Sequence, residues 1–391
     1  MKKTNYLEVI GVLSLSLILT SAYAVSGCLP AMIEAFPDYS RSSVELLLSL
    51  PSFAMMVMIA LSPAISKRLS EKVVLTTGLL IYVVTGVIPV FFTSYPVIFV
   101  SRVLMGVGTG LINTKAVSMI GERFIGDLQS KLQGIRCSME TLGQTVLTLV
   151  AGQLLVFGWN IPFIIFSVAL VILVLYLAFV PDRKMESQDV VVESDSNGKL
   201  TKKDWIFILQ NALLGFLLVS TNVSISLRMP SYVIEKGIGT AVDGSTILGI
   251  STFAGFVGGI LFGILVKKWK NYLLPISMGV AAAGLGLILF ADSFLLMAAG
   301  AALCGFAVTC GTSYMFSRLP EALPAQTLTT ANAVVLVGCN MGSFTAPFVL
   351  KIVNLFSPAL SAGFVAYGAV YLVLAVGILA AGRIVEKKKI I

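Results

Sequence analysis

The chain has 391 residues, of which 57% are hydrophobic and 12% charged, with a formal net charge of +8. A soluble domain carries about 25% charged residues, so half that share points to lipid as the solvent and argues against a water-soluble enzyme. The basic excess forms no face interleaved with aromatics, which excludes a nucleic-acid partner. There is no histidine, the commonest metal ligand and proton shuttle. The five cysteines (28, 137, 304, 310 and 339) lie in or beside apolar runs, so neither a disulfide framework nor a metal site is expected.

Twelve stretches are long and apolar enough to cross a bilayer: 7–30, 44–66, 73–93, 96–119, 134–157, 161–181, 205–229, 245–266, 272–291, 294–317, 327–350 and 359–382. An even number puts both ends of the chain on one side. Counted that way, 21 of the 27 basic residues fall on the side of the ends, which the positive-inside rule makes the cytoplasm. The first stretch carries Lys2, Lys3 and then "VSGC" (25–28), a pattern shared with cleaved lipoprotein signals. Eleven further spans and an internal repeat argue against cleavage.

The repeat shows at an offset of 200. "LTSAYAVSGCLP" (19–30) answers to "VSTNVSISLRMP" (219–230), and Lys67–Arg68 to Lys267–Lys268. The expectation is an all-α membrane protein of two parallel six-helix bundles, 1–181 and 205–391. The polar, charged segment 182–204 would be a cytoplasmic linker. Parallel halves of this kind place a binding site near mid-membrane between them.

In the fourth stretch, "FVSRVLMGVGTGLI" (99–112), an arginine precedes three glycines. A phosphate-binding loop needs a strand before the glycines and a helix starting at them; here the whole run lies inside one apolar span. Small residues there allow helices to approach closely. Arginine at a helix centre costs about 2.5–3.5 kcal/mol on insertion scales, so Arg102 needs protein or water around it. On a helical wheel Thr109 and Asn113 fall within about 20° of it, forming one polar stripe. Lys115 lies on another face, where it would snorkel to headgroups or pair with Glu122. Arg102 is then either a transport residue or a buried anchor.

Other spans repeat the pattern, with Tyr23 in the first, Asn211 and Asn222 in the seventh, Tyr314 in the tenth, and Asn332 and Asn340 in the eleventh. These would line a shared substrate cavity, or bond helix to helix at ~0.6 kcal/mol each. Met55, Met56, Met58, Phe216, Met315 and Phe316 would add adaptable apolar contacts. Glu34, Asp38 and Glu45 fall at the outer face. Glu140, with Arg136 four residues earlier, reads as an intrahelical ion pair or a proton carrier.

"SRVLMGVGTG", with Arg102, Gly106 and Gly110, resembles the fourth-span motif of the major facilitator superfamily. The resemblance extends over essentially the whole chain, and it implies a part in proton coupling for Arg102. Between spans two and three the family pattern G-x-x-x-D-[RK]-x-G-[RK]-[RK] is degenerate: Ser62 stands at the glycine, Ser66 at the aspartate, and Lys67 alone keeps its type. Its second-half copy keeps Gly263 and Lys268. The aspartate is thought to latch one conformation, so this conformational loop would be weaker here. The fifth span keeps Gly134, Gly143 and Gly152 of the antiporter motif but has Leu147–Thr148 in place of its Gly-Pro.

The resemblance implies a secondary active transporter of the cytoplasmic membrane, working by alternating access as a monomer without cofactor. No G-x-x-x-x-G-K-[ST] run supplies ATP drive. The leading expectation is proton-coupled efflux of a small amphipathic or drug-like molecule, with Arg102, Glu140 and Glu34 carrying the coupling. An organic anion or nutrient transporter is the alternative, and a lipid flippase a further one.

Overall fold

A computed structural model describes residues 6–66, 69–124, 127–181, 200–324 and 327–390. Within these the chain is helical with no strand. Eleven helices are long and apolar enough to span a membrane, and a bent pair, Tyr6–Ile18 and Ser21–Ala35, makes the twelfth crossing. The later spans are Arg41–Ser66, Glu71–Phe91, Tyr95–Arg123, Asp127–Leu154, Ile161–Phe179, Lys202–Glu235, Ala241–Trp269, Leu273–Phe290, Phe294–Ala322, Leu328–Phe356 and Ala362–Ile390. The side carrying Tyr6 and Ile390 is here the terminal side, and the opposite one the far side. The segment 182–199 and Lys67 lie outside the described residues.

The first span departs from the single unbroken helix expected over 7–30. Its two parts meet at 45°, joined by short 3-10 turns at Leu15–Ile18, Ser21–Tyr23 and Ser26–Cys28. Hydroxyl-rich sequence is the cause. Ser14 donates to the Gly11 carbonyl at 2.9 Å, Ser21 to Ile18 at 2.6 Å, and Ser26 to Tyr23. Such back-bonding competes with the helical ladder and bends it.

Elsewhere the helix starts are written locally. Thr201 with Asp204, and Thr240 with Asp243, form reciprocal capping boxes that satisfy orphan N–H groups at the seventh and eighth spans. Ser70 and Ser293 cap the third and tenth. In the first six spans, the fourth packs broadly on the second and third; in the last six, the eighth packs on the tenth and the seventh on the eleventh. The two sets meet along two seams, fifth span against eighth and second against eleventh.

Candidate functional site

Among the described residues, the hydrogen bonds and ion pairs traced between the two sets of spans lie at mid-membrane or on the far side. At mid-membrane three hydroxyls close a ring. Ser52 of the second span is 2.9 Å from Ser343 of the eleventh, and Tyr23, at the break in the first span, bonds both, at 3.1 Å to Ser52. Ser49 donates to the Phe344 carbonyl at 3.4 Å. On the other seam Thr145 donates to Thr252 at 2.9 Å. Nearby, Ser245 of the eighth span sits between two glycines of the first set: a Cβ on Gly27 would lie 2.0 Å from its Oγ, and one on Gly152 would lie 2.7 Å from its Cβ. Only glycine permits that approach.

Nearer the far side, charge takes over. Glu45 lies seven residues before Ser52, ~10 Å along the helix. Its Oε1 is 2.7 Å from Nε of Arg228 in the seventh span, and Arg228 Nη2 donates to Oε2 at 3.4 Å. Both side chains are 1% exposed. Arg41, one turn earlier, donates to Ser231 at 3.4 Å. In the amide orientation that satisfies both its ends, Asn354 accepts from Arg228 Nη1 and donates to the Leu350 carbonyl, each at 3.3 Å. Sequence reasoning placed Glu45 at the outer face and gave neither it nor Arg228 a partner. The available signal was their opposite sign at matching depth in different halves, which names no partner.

Arg102 is 1% exposed and packs inside the first six spans. Its guanidinium carbon lies 4.5 Å from the Phe163 ring centre and 5.2 Å from Phe166, and Nη1 donates to Met105 Sδ at 3.0 Å. Of the two readings of Arg102, a transport residue or a buried anchor, the structure puts its side chain inside the first six spans and off an open path, since the sixth span's rings occupy its face of the helix. Its Nε and Nη2 are buried without a hydrogen-bond partner. The stripe divides accordingly, with Thr109 turning back to the Met105 carbonyl at 2.9 Å and Asn113 half-buried. Lys115, expected to snorkel or to pair with Glu122, is buried, and the Glu122 side chain lies outside the described ones. The glycines do serve close approach: a Cβ on Gly106 would lie 2.4 Å from the Pro51 carbonyl oxygen.

The remaining candidates scatter. Asn211 and Asn340 are buried and donate to the carbonyls of Phe207 at 2.8 Å and Leu336 at 2.9 Å in their own helices. Asn222 is half-buried, Tyr314 buried beneath Arg318, and Asn332 exposed. Met315 belongs to the packed core of the second set. Glu140 is ion-paired with Arg136, and its carbonyl accepts from Thr20 at 3.2 Å. Glu34 is exposed near the far end. Of the loop residues, Ser62 is half-buried, Gly263 faces open space and Lys268 is exposed. Ser66 ends the second span, and its side chain lies outside the described ones.

On the terminal side an ion cluster binds the first set together. Arg123, at the end of the fourth span, donates to Glu8 at 2.8 Å, to Glu71 at 2.5 Å, and to the Pro181 carbonyl at 3.4 Å. Burial opposes its charge, and the two carboxylates compensate for the lost water. One guanidinium thus ties the first, third and fourth spans to the end of the sixth.

A broken first span, two six-span sets and a seal between them at one side constitute a recognisable plan, and the family model described as Major Facilitator Superfamily matches residues 12–347. The chain belongs to the major facilitator superfamily. By sequence alone no curated protein matches it. Among solved structures, a D-xylose-proton symporter is similar at 17% identity and a TM-score of 0.78, covering 95% of this chain and 97% of its own. A mutant of the nucleoside transporter NupG is similar at 16% identity and a TM-score of 0.74, covering 96% and 98%. At such identity the likeness establishes the superfamily fold. The superfamily makes this a multi-pass membrane transporter of small molecules.

Proposed function

We propose that this chain is a secondary active transporter of the cytoplasmic membrane that works by alternating access and exports a small amphipathic or drug-like molecule by coupling to protons. The terminal side is the cytoplasm, by the distribution of basic residues. One observation carries the reading: among the described residues the bonds traced between the two halves lie at mid-membrane or beyond, the arrangement of a carrier closed to the outside. The break in the first span at Tyr23 supports it, because a hydroxyl at a helix break can change partners as the halves rock.

In this reading the half-buried Met55, Met56 and Met58 supply adaptable contact along the path. Arg102, Glu140 and Glu34 take part in proton coupling. Proteoliposomes with an imposed pH difference test the proposal. Proton-driven movement of a cationic amphipathic dye is expected, and a dye that stays inert at every pH difference overturns export of this class.

Transport of an organic anion is a second reading, favoured by the arginines. Among the described residues Arg102 touches no carboxylate, and Glu45 faces two guanidiniums. Counterflow of a labelled carboxylate, with the dye inert, would select it.

A further inference from the structure

Glu45 stands between two guanidiniums, and only one of them travels with it. Arg228 belongs to the seventh span, so its 2.7 Å contact must part when the far seal opens. Arg41 sits four residues before Glu45 on the same helix, a spacing at which side chains meet. In the sealed state Arg41 is under-used. Among the described residues its Nη1 is buried without a hydrogen-bond partner and Nη2 donates to Ser231 at 3.4 Å, a contact also lost on opening.

We propose that opening of the far side hands Glu45 from Arg228 to Arg41, and that Arg228, freed beside Asn354, becomes the binding site for the carboxylate of an amphipathic organic anion. The inference rests on the alternating-access reading. It also goes beyond that reading, because it assigns a ligand chemistry to a residue of the outer vestibule.

Three features support the exchange. It leaves the carboxylate paired in both states, so opening strands no negative charge in a poorly solvated place. It concentrates the surplus positive charge of Arg41, Glu45 and Arg228 on the one arginine that then faces the vestibule. Most directly, Arg228 already faces a carboxylate: Glu45 Oε1 lies 2.7 Å from Nε as an ion pair, Nη2 donates to Oε2 at 3.4 Å, and neither Nε nor Oε1 has a hydrogen-bond partner among the described residues, so the guanidinium edge keeps an unused donor for an anion. A ligand anion would take the place Glu45 vacates. Asn354, anchored to the Leu350 carbonyl, would hold the guanidinium plane. Such a ligand competes with Glu45, so its binding favours the open seal by mass action.

The test uses full-length protein in nanodiscs, with Cys137→Ser and spin labels at Asp38→Cys and Lys351→Cys, exposed far-side positions in the two halves. Inter-label distances are recorded with sodium benzoate and with benzamide, its uncharged counterpart. Benzoate should enrich the longer distance, and benzamide should not. Glu45→Gln should lower the benzoate concentration required by about tenfold. Arg228→Gln should abolish the response, and Arg228→Lys should retain a weakened one. Equal responses to benzoate and benzamide, or a benzoate response that survives Arg228→Gln, would overturn the anion site while leaving alternating access intact. A single distance in every variant, Glu45→Gln included, would sink both.

Discussion

Arg102 and Phe163 form a cation–π pair inside the first six spans, with the guanidinium carbon 4.5 Å from the ring centre. A contact of this kind is worth ~2 kcal/mol when desolvated, less than the several kcal/mol needed to strip water from a charge. No carboxylate in contact makes up the difference. Replacement by an apolar side chain of similar volume should therefore leave the fold intact. Arg102→Met is expected to melt in detergent at or above the wild-type temperature while transport falls. Arg102→Ala, which leaves a void, should lose ~2–4 kcal/mol of stability and melt lower. A Met variant that melts well below wild type would make Arg102 a structural anchor instead.

Tyr23 bonds one hydroxyl from each half, and without it the Ser52–Ser343 bond remains at 2.9 Å. Tyr23→Phe should weaken the seal by ~1 kcal/mol, raising the far-open fraction about fivefold. Spin-label distances across the second and eleventh spans would read the shift, and an unchanged distribution would remove the ring from the gate.

Gly27 leaves room for Ser245 of the opposite half. Because a methyl there would come within 2.0 Å of Ser245 Oγ, Gly27→Ala should pry the far side open, at ~1–3 kcal/mol. Gly27→Ala with Ser245→Gly should restore the seal. Accessibility of a far-side cysteine to a membrane-impermeant maleimide measures both variants.

Arg123 holds two carboxylates on the terminal side, its side chain 2% exposed. Glu71→Gln should lower stability by ~2 kcal/mol, because Glu8 remains as a partner. Removing both acids should cost more than the sum of the single losses, since the second removal leaves a buried cation unpaired. Additive losses in a thermal-melt cycle would show that Arg123 reaches solvent.

Much of this architecture was legible in the chain itself. Hydropathy over some twenty residues is local, so the spans could be counted, and the fourth-span glycines could be read as close-approach positions. The break in the first span was less legible. Ser14, Ser21 and Ser26 were visible as polar residues, but a hydroxyl chooses between its own carbonyl and a neighbouring helix only once that neighbour is in place. Asn211 and Asn340 illustrate the same limit: helical spacing put them on polar stripes, and the folded chain turned both amides back on their own helices.

Sequence alone determined that this protein lives in lipid, how many times it crosses, and which side holds its basic loops, because each follows from transfer free energies summed along a short stretch. The tertiary structure decided what the charges do. Arg102 met aromatic rings where a water-filled path was expected, and Glu45 met Arg228, 183 positions away. Helical periodicity tells which residues share a face. Which faces meet depends on how twelve helices pack at once, and that packing also sets whether a charge is hydrated, caged or paired.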